Sequence, residues 1–315
     1  MNKPPLKFVA KSGEDPCAKA SDNGQDMKVL GYSWSPKEDL LAPGFSEINF
    51  NKKVRGAKPP NAQPVANKED AEKLMENLIL TRKQCLSKVA EIYDPEGLWE
   101  PVKLEFKLAL SQLNSYGWDE PLPKDLQDSW KRSLLKLVDL PKVSIDRAVI
   151  PDHGVVDPTK ARLLVLVDAA AHAGGAAVYI GYKLEGGNFS CKLLTSKSRI
   201  YHGTIPRNEL SALLLGTELA YTVCKALSHI QFEVIFLTDS TVALSWAHNT
   251  EKKLKTYVYN RVTSITRLIE WTVGPVSDLP IFHIPGETNL ADLLTKYHDI
   301  DVRGLGAGSA WQDGH

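Results

Sequence analysis

Four carboxylates stand where apolar segments end or begin. Asp168 closes the run "LLVLVDAAA", Glu209 opens a long apolar stretch in "RNELSAL", Asp239 follows a strand-like run in "VIFLTDSTVALSW", and Asp292 lies in "NLADLLT". Taken singly, each has an ordinary explanation. An aspartate after a strand is a turn former or a helix cap, and a glutamate in a first helical turn favours the helix dipole. Taken together they have another. Carboxylates gathered at one place repel and raise each other's pKa values, a cost that divalent cations remove. Hard oxygen donors suit Mg²⁺ or Mn²⁺, and an octahedral ion that keeps some of its water suits phosphate chemistry.

The surrounding pattern says which elements would bring them together. "ARLLVLVDAAAHAGGAAVYIGYKLEGGNFSCKLLTSKSRI" reads as three strands, 162–167, 176–183 and 189–196, with Gly-Gly turns implying antiparallel neighbours. Pro206 starts a helix with Leu210, Leu213, Leu214, Leu219 and Val223 as its core stripe. A strand at 232–237, helices at 241–247 and about 256–270, a strand in "IFHIP" and a final helix in "NLADLLTKY" complete the order. Three strands followed by alternating helices and strands predict an α/β fold with one mixed five-stranded sheet flanked by helices. Its first and fourth strands are then parallel neighbours. Asp168 and Asp239 would emerge side by side at the carboxyl edge, where open sheets place their chemistry. Glu209 would start the crossover helix, and Asp292 would sit in a helix beside that edge.

The chain ahead of this sheet has a different texture. Residues 1–27 are polar and unpatterned, predicting a poorly ordered start. "MKVLGYSWSPKEDLLAPGFSEINF" alternates like a strand or hairpin, and residues 51–70 read as a Pro/Asn/Lys loop. An α-rich segment follows, completing a 28–150 unit. "LTRKQCLSKVAEIYDPEG" opens with Thr81 and Gln84 in capping-box spacing, and "LWEPVKLEFKLALSQLNSYGW" and "LPKDLQDSWKRSLLKLVDL" have helical periods. "IPDHGVVDPTK" is a linker, and residues 299–315 form a glycine-rich tail expected to be flexible.

Composition narrows the partners. Lys+Arg and Asp+Glu both number 38 in 315 residues, a formal net charge of zero, so contact with nucleic acid must be local. The nearest basic patch is "EKKLKTYVYNR", where Lys252, Lys253, Lys255 and Arg261 accompany Tyr257 and Tyr259. Phosphate contact explains it, and so does a solvated helix start. Four cysteines, at 17, 85, 191 and 224, show no C-x-x-C pair and no Cys/His metal spacing, which favours reduced thiols. No signal peptide is expected, and the most apolar stretch carries Glu218 and is too short to span a bilayer. A soluble cytoplasmic or nuclear protein is expected, not a secreted one.

With these residues in view, 160–298 resembles a ribonuclease H domain, whose Asp–Glu–Asp–Asp quartet occurs in this chain order and these settings. "RNELSALLLGTELA", "FLTDSTVALSWAHN", "VYNRVTSI" and "FHIPGETNLADLLTK" are similar to the ribonuclease H region of Bel/Pao-type retrotransposon polyproteins, a region also called the Pao retrotransposon peptidase family. "LTRKQCLSKVAEIYDPEGLWEPVKLEFK" and "YGWDEPLP" resemble the reverse transcriptase thumb and connection segment there. The resemblance implies two ions, Mg²⁺ or Mn²⁺, on the scissile phosphate of the RNA strand in an RNA–DNA hybrid. It implies that Asp168 bridges both ions, that Glu209 and Asp239 complete the metal on the leaving-group side, and that Asp292 helps hold the metal that activates water. The products would carry a 3′-hydroxyl and a 5′-phosphate, and the 2′-hydroxyl would mark RNA from DNA. The implied partners are the hybrid and the polymerase part of the same element, with no membrane.

Departures from that pattern are equally plain. Many relatives carry a histidine in a loop before the last aspartate; here Glu287 stands there, and His283 belongs to the preceding strand. The basic protrusion of some relatives is missing. No adjacent Asp-Asp pair occurs, so no polymerase activity is expected, and no Asp-Ser/Thr-Gly motif supports a peptidase. The chain looks like part of a longer polyprotein. Two functions stay open: a metal-dependent hybrid ribonuclease, and a catalytically silent remnant that folds and binds nucleic acid.

Overall fold

The computed structural model describes residues 27–29, 32–43, 68–76, 78–138, 143–249 and 253–296. All of the expected disordered start but Met27, most of the 51–70 loop, Lys252 and the glycine-rich tail lie outside them.

Five strands make the central sheet: β5 (Lys160–Ala169), β6 (Ala173–Lys183), β7 (Phe189–Ile200), β8 (Gln231–Thr238) and β9 (Ile281–His283). Their order is β7-β6-β5-β8-β9, with β5, β6 and β7 antiparallel and β5, β8 and β9 parallel. The predicted mixed α/β architecture is what forms. The first three strands run longer than expected, and β7 reaches Ile200 rather than 196. Gly174 and Gly175, read as turn formers, are paired strand residues opposite Ala169 and Asp168. Asp168 therefore lies within the ladder, one residue before its end.

Period-2 alternation gives the sheet two covered faces. Leu163, Val165 and Val167 of β5 and Val234 and Phe236 of β8 face a helical layer. That layer comprises α5 (Ile205–Ala226), α6 (Thr241–Ala247) and α7 (Thr256–Val273). α5 lies close because Gly216 carries no side chain; a Cβ there would meet Val167 Cγ1 at 2.6 Å. On the other face, Leu166, Ala177, Tyr179 and Leu193 pack with Leu98, Trp99, Ile284, Ala291 and Leu294. Asp168 has the same parity as Leu166 and so points to this second face.

The segment before the sheet contains α1 (Lys68–Glu76), α2 (Arg82–Ala90), α3 (Glu100–Gln112) and α4 (Lys124–Lys136). Lys68, Glu69 and Asp70, read as loop, begin α1. Both bonds of the Thr81/Gln84 capping box form. Their core gathers Leu80, Cys85, Phe106, Leu113, Trp130 and Leu134. The expected hairpin is three short strands, β1 (Met27–Val29), β2 (Tyr32–Ser35) and β3 (Leu40–Pro43), joined by β4 (Ile145–Asp146). One expectation fails. Within "NLADLLTKY" the described residues 289–296 form no α-helix; Leu290–Leu294 is a 3₁₀ turn. The tighter winding lets Ala291 and Leu294 both enter the core on one side while Asn289 anchors the start.

Candidate active site

The sheet register brings Asp168 and Asp239 together from different halves of the topology. Val167 pairs with Thr238 in the parallel β5–β8 ladder, so the next residue of each strand is one of the two aspartates. Asp239 itself is not the helix cap. Ser240 is: its Oγ accepts the Ala243 N–H at 3.0 Å. The Asp239 carboxylate is left without a capping duty.

Glu209 reaches the same edge from the first turns of α5. The Ser240 hydroxyl donates to Glu209 Oε2 at 2.5 Å, tying the glutamate to the residue next to Asp239. Asp292 arrives on the 3₁₀ turn. Asn289 fixes that turn from both ends of its amide, since Nδ2 donates to Val167 O at 3.0 Å and Oδ1 accepts the Ala291 N–H at 3.2 Å. The next two residues after the turn grip the site. Thr295 Oγ1 donates to Asp168 Oδ2 at 2.5 Å, and Lys296 Nζ donates to Asp292 Oδ2 at 2.6 Å.

Charge couples these groups. Burial, chiefly, raises the Asp168 pKa, with Asp239 and Asp292 adding to the rise and the Thr295 hydrogen bond opposing it. The Lys296 pKa rises because it bonds and pairs with Asp292, with Asp168 and Asp239 contributing from farther off. Three aspartates thus share one electrostatic neighbourhood, with Glu209 one hydrogen bond away. Among the described residues, no three His, Cys, Asp or Glu side chains close to the spacing of a metal shell. Instead Thr295, Lys296 and Ser240 each hold one of the carboxylates. The donor chemistry nonetheless fits a hard divalent cation: four half-buried carboxylates with one lysine as counter-charge.

Other expected features land differently. Glu287 is exposed in a 3₁₀ turn, Gly286–Thr288, whose Gly286 lies against Asp239; a Cβ there would be 3.2 Å from Oδ2. Of the basic patch, Lys253 and Lys255 are exposed just before α7. Arg261 is half-buried and packs inward. Its guanidinium lies 3.6 Å from the Tyr257 ring centroid, and Nε donates to Ser211 Oγ at 2.9 Å. The exposed Arg207, absent from the expected set, sits 4.9 Å over the same ring. Asn289, Thr295 and Lys296 were likewise absent from the expected set, and Gly175 was read only as a turn former.

A mixed five-stranded sheet in this order, flanked by helices, is a ribonuclease H-like fold. The model of the Pao retrotransposon-like RNaseH-like domain matches residues 81–240, half of the chain, and the chain belongs to that family. No curated protein gives a significant match. Among solved structures, the N-terminal RNase H domain of a Mycobacterium tuberculosis protein, fused to maltose-binding protein, is 15% identical. The match covers 43% of this chain and 91% of that one, at a TM-score of 0.31. LC11-RNase H1 in complex with an RNA/DNA hybrid is 21% identical over 42% of this chain and 92% of that chain, at 0.31. The foamy viral protease-reverse transcriptase in complex with dsDNA is 10% identical over 82% of this chain and 44% of its own, at 0.40.

Proposed function

We propose that this chain is a retrotransposon-derived ribonuclease H that cuts the RNA strand of an RNA–DNA hybrid endonucleolytically. The observation that carries the proposal is the placement of Asp168 and Asp239 one residue past the paired Val167 and Thr238, with Thr295 bridging Asp168 to the Asp292 turn and Ser240 joining Glu209. Asp168, Glu209, Asp239 and Asp292 would hold two Mg²⁺ or Mn²⁺ ions. Such ions supply Lewis acidity at the scissile phosphate and an activated water. The protein's own contribution is positioning. β5 and β8 present two aspartates from rigid neighbouring strands, α5 aims Glu209, and Asn289 holds the turn that carries Asp292. Lys253, Lys255 and the exposed Arg207 are suited to phosphate contacts along the hybrid, with Lys252 added from the same patch. Arg261 braces the α5–α7 contact beneath them.

The test is cleavage of an RNA–DNA duplex labelled on the RNA strand. Magnesium-dependent release of fragments with 3′-hydroxyl ends is expected, and Asp239→Asn should lower it at least about a hundredfold, matching loss of several kcal/mol of metal-borne stabilisation. Folded wild-type protein that leaves the RNA intact would refute the nuclease. A silent, nucleic-acid-binding remnant is the second possibility. It is favoured by the absence, among the described residues, of a closed metal shell. Hybrid binding without cleavage would identify it.

A further inference from the structure

The helical segment ahead of the linker holds a piece of the nuclease. We propose that residues 94–107 form the inner wall of the catalytic unit and that Trp99 is a positioning residue for Asp292. The inference rests on the nuclease proposal and assigns a role to a region that carries no candidate ligand.

Three observations converge on it. Trp99 is 1% exposed, and Leu98 likewise, although both precede the sheet by about sixty residues of chain. They pack in one cluster with Leu166 and Ala177 of the sheet and with Ala291 and Leu294, which flank Asp292. Removing the indole would leave a cavity in the cluster that Ala291 and Leu294 share, into which the surrounding structure relaxes partially.

The attachment to the sheet is built, not incidental. Gly97, at φ 77°, lies flat against β7; a Cβ there would sit 2.0 Å from Ser196 O. Ser196 N–H donates to Glu96 O at 2.7 Å, and Ser196 Oγ donates to Gly97 O at 2.5 Å. Glu100 accepts both the N–H and the hydroxyl of Ser198, at 2.9 and 2.7 Å. Lys103 and Lys107 close around the glutamate at 2.6 and 2.5 Å, and Lys103 also pairs with the fully buried Asp94 at 3.0 Å. Buried charges in such a network hold one geometry, because breaking any pair strands its partner. The third observation is independent of packing. The family model matches this segment together with β5 to β8, over residues 81–240.

The experiment compares the full chain with Trp99→Ala, Trp99→Phe and Leu134→Ala. Leu134 is fully buried in the separate helical core, so its truncation controls for destabilisation alone. Two readouts are taken: the magnesium midpoint for thermal stabilisation, and kcat and KM on the hybrid. Trp99→Ala should raise the magnesium midpoint about fivefold and lower kcat about tenfold with KM little changed, as expected for a small displacement of one group. Trp99→Phe should recover both to within about twofold, and Leu134→Ala should lose stability with neither shift. A wild-type midpoint in Trp99→Ala, or an equal shift in Leu134→Ala, overturns the inference alone. Wild-type protein that neither binds magnesium nor cleaves overturns the nuclease and the inference together.

Discussion

At the scale of single residues, Asp168 depends on a neighbour with no side chain. Its ladder partner is Gly175, and Leu294 lies directly on that glycine. A methyl group at 175 would approach Leu294 Cβ to 2.3 Å, closer than any real contact, so the 3₁₀ turn would have to lift. Gly175→Ala should cost about 2 kcal/mol of stability through overpacking. It should also lower hybrid cleavage about tenfold by moving Asp292. Gly186→Ala, where nothing lies within 4 Å, should change neither. Urea unfolding and cleavage assays on both variants check the pair. Full activity in Gly175→Ala would show that Asp292 does not depend on this contact.

At the scale of elements, α3 is where the pH dependence should appear. Burial disfavours the Glu100 charge, but Lys107 and Lys103 overcome it and hold the carboxyl at about 2. An unfolded glutamate titrates near ~4.3. The folded value lies below the unfolded one, so this contribution is complete above about pH 4.3 and is lost as pH falls toward 2. It amounts to roughly 3 kcal/mol. Glu100→Gln should lose a comparable amount at pH 7 and show a flatter acid limb in urea midpoints taken from pH 7 to 2.5. Equal acid limbs in the two proteins would show that the network is solvated.

Elements with strong local signals were legible in the sequence. The Thr81/Gln84 capping box, the Pro206 helix start and the β5–β8 pairing could be read from residue type and spacing. The 3₁₀ turn could not, because "NLADLLTKY" has helical spacing and only the fit of Leu294 over Gly175 decides its pitch. The glycines at 174 and 175 misled for a related reason. They resemble turn formers, yet they serve as strand residues that let another element approach. The four candidate carboxylates were visible as a set. Thr295, Lys296 and Asn289 were not, since their roles depend on which atoms the turn delivers.

At the scale of the whole molecule, α3 belongs to two cores at once. Phe106 packs in the helical core, while Trp99 at its start packs behind the sheet. Neither core should therefore melt alone. Leu134→Ala in the helical core and Leu166→Ala in the core behind the sheet, both buried, should each lower one common unfolding temperature. Calorimetry should record a single transition in both, with calorimetric and van't Hoff enthalpies in agreement. Two separated transitions would show independent units. Among the described residues, no helix is long and apolar enough to cross a membrane.

The wall formed by residues 94–107 also bears on how the chain is made. Translation delivers Trp99 and the Glu100 ion network well before the strands that cover them. Leu294, the last member of that cluster, follows Trp99 by 195 positions. At about 5–20 residues per second, the ribosome needs roughly 10–40 s to supply it. For that interval the nascent helical segment presents an uncovered indole and a Glu100 that still lacks its Ser198 bonds, a natural binding site for a chaperone.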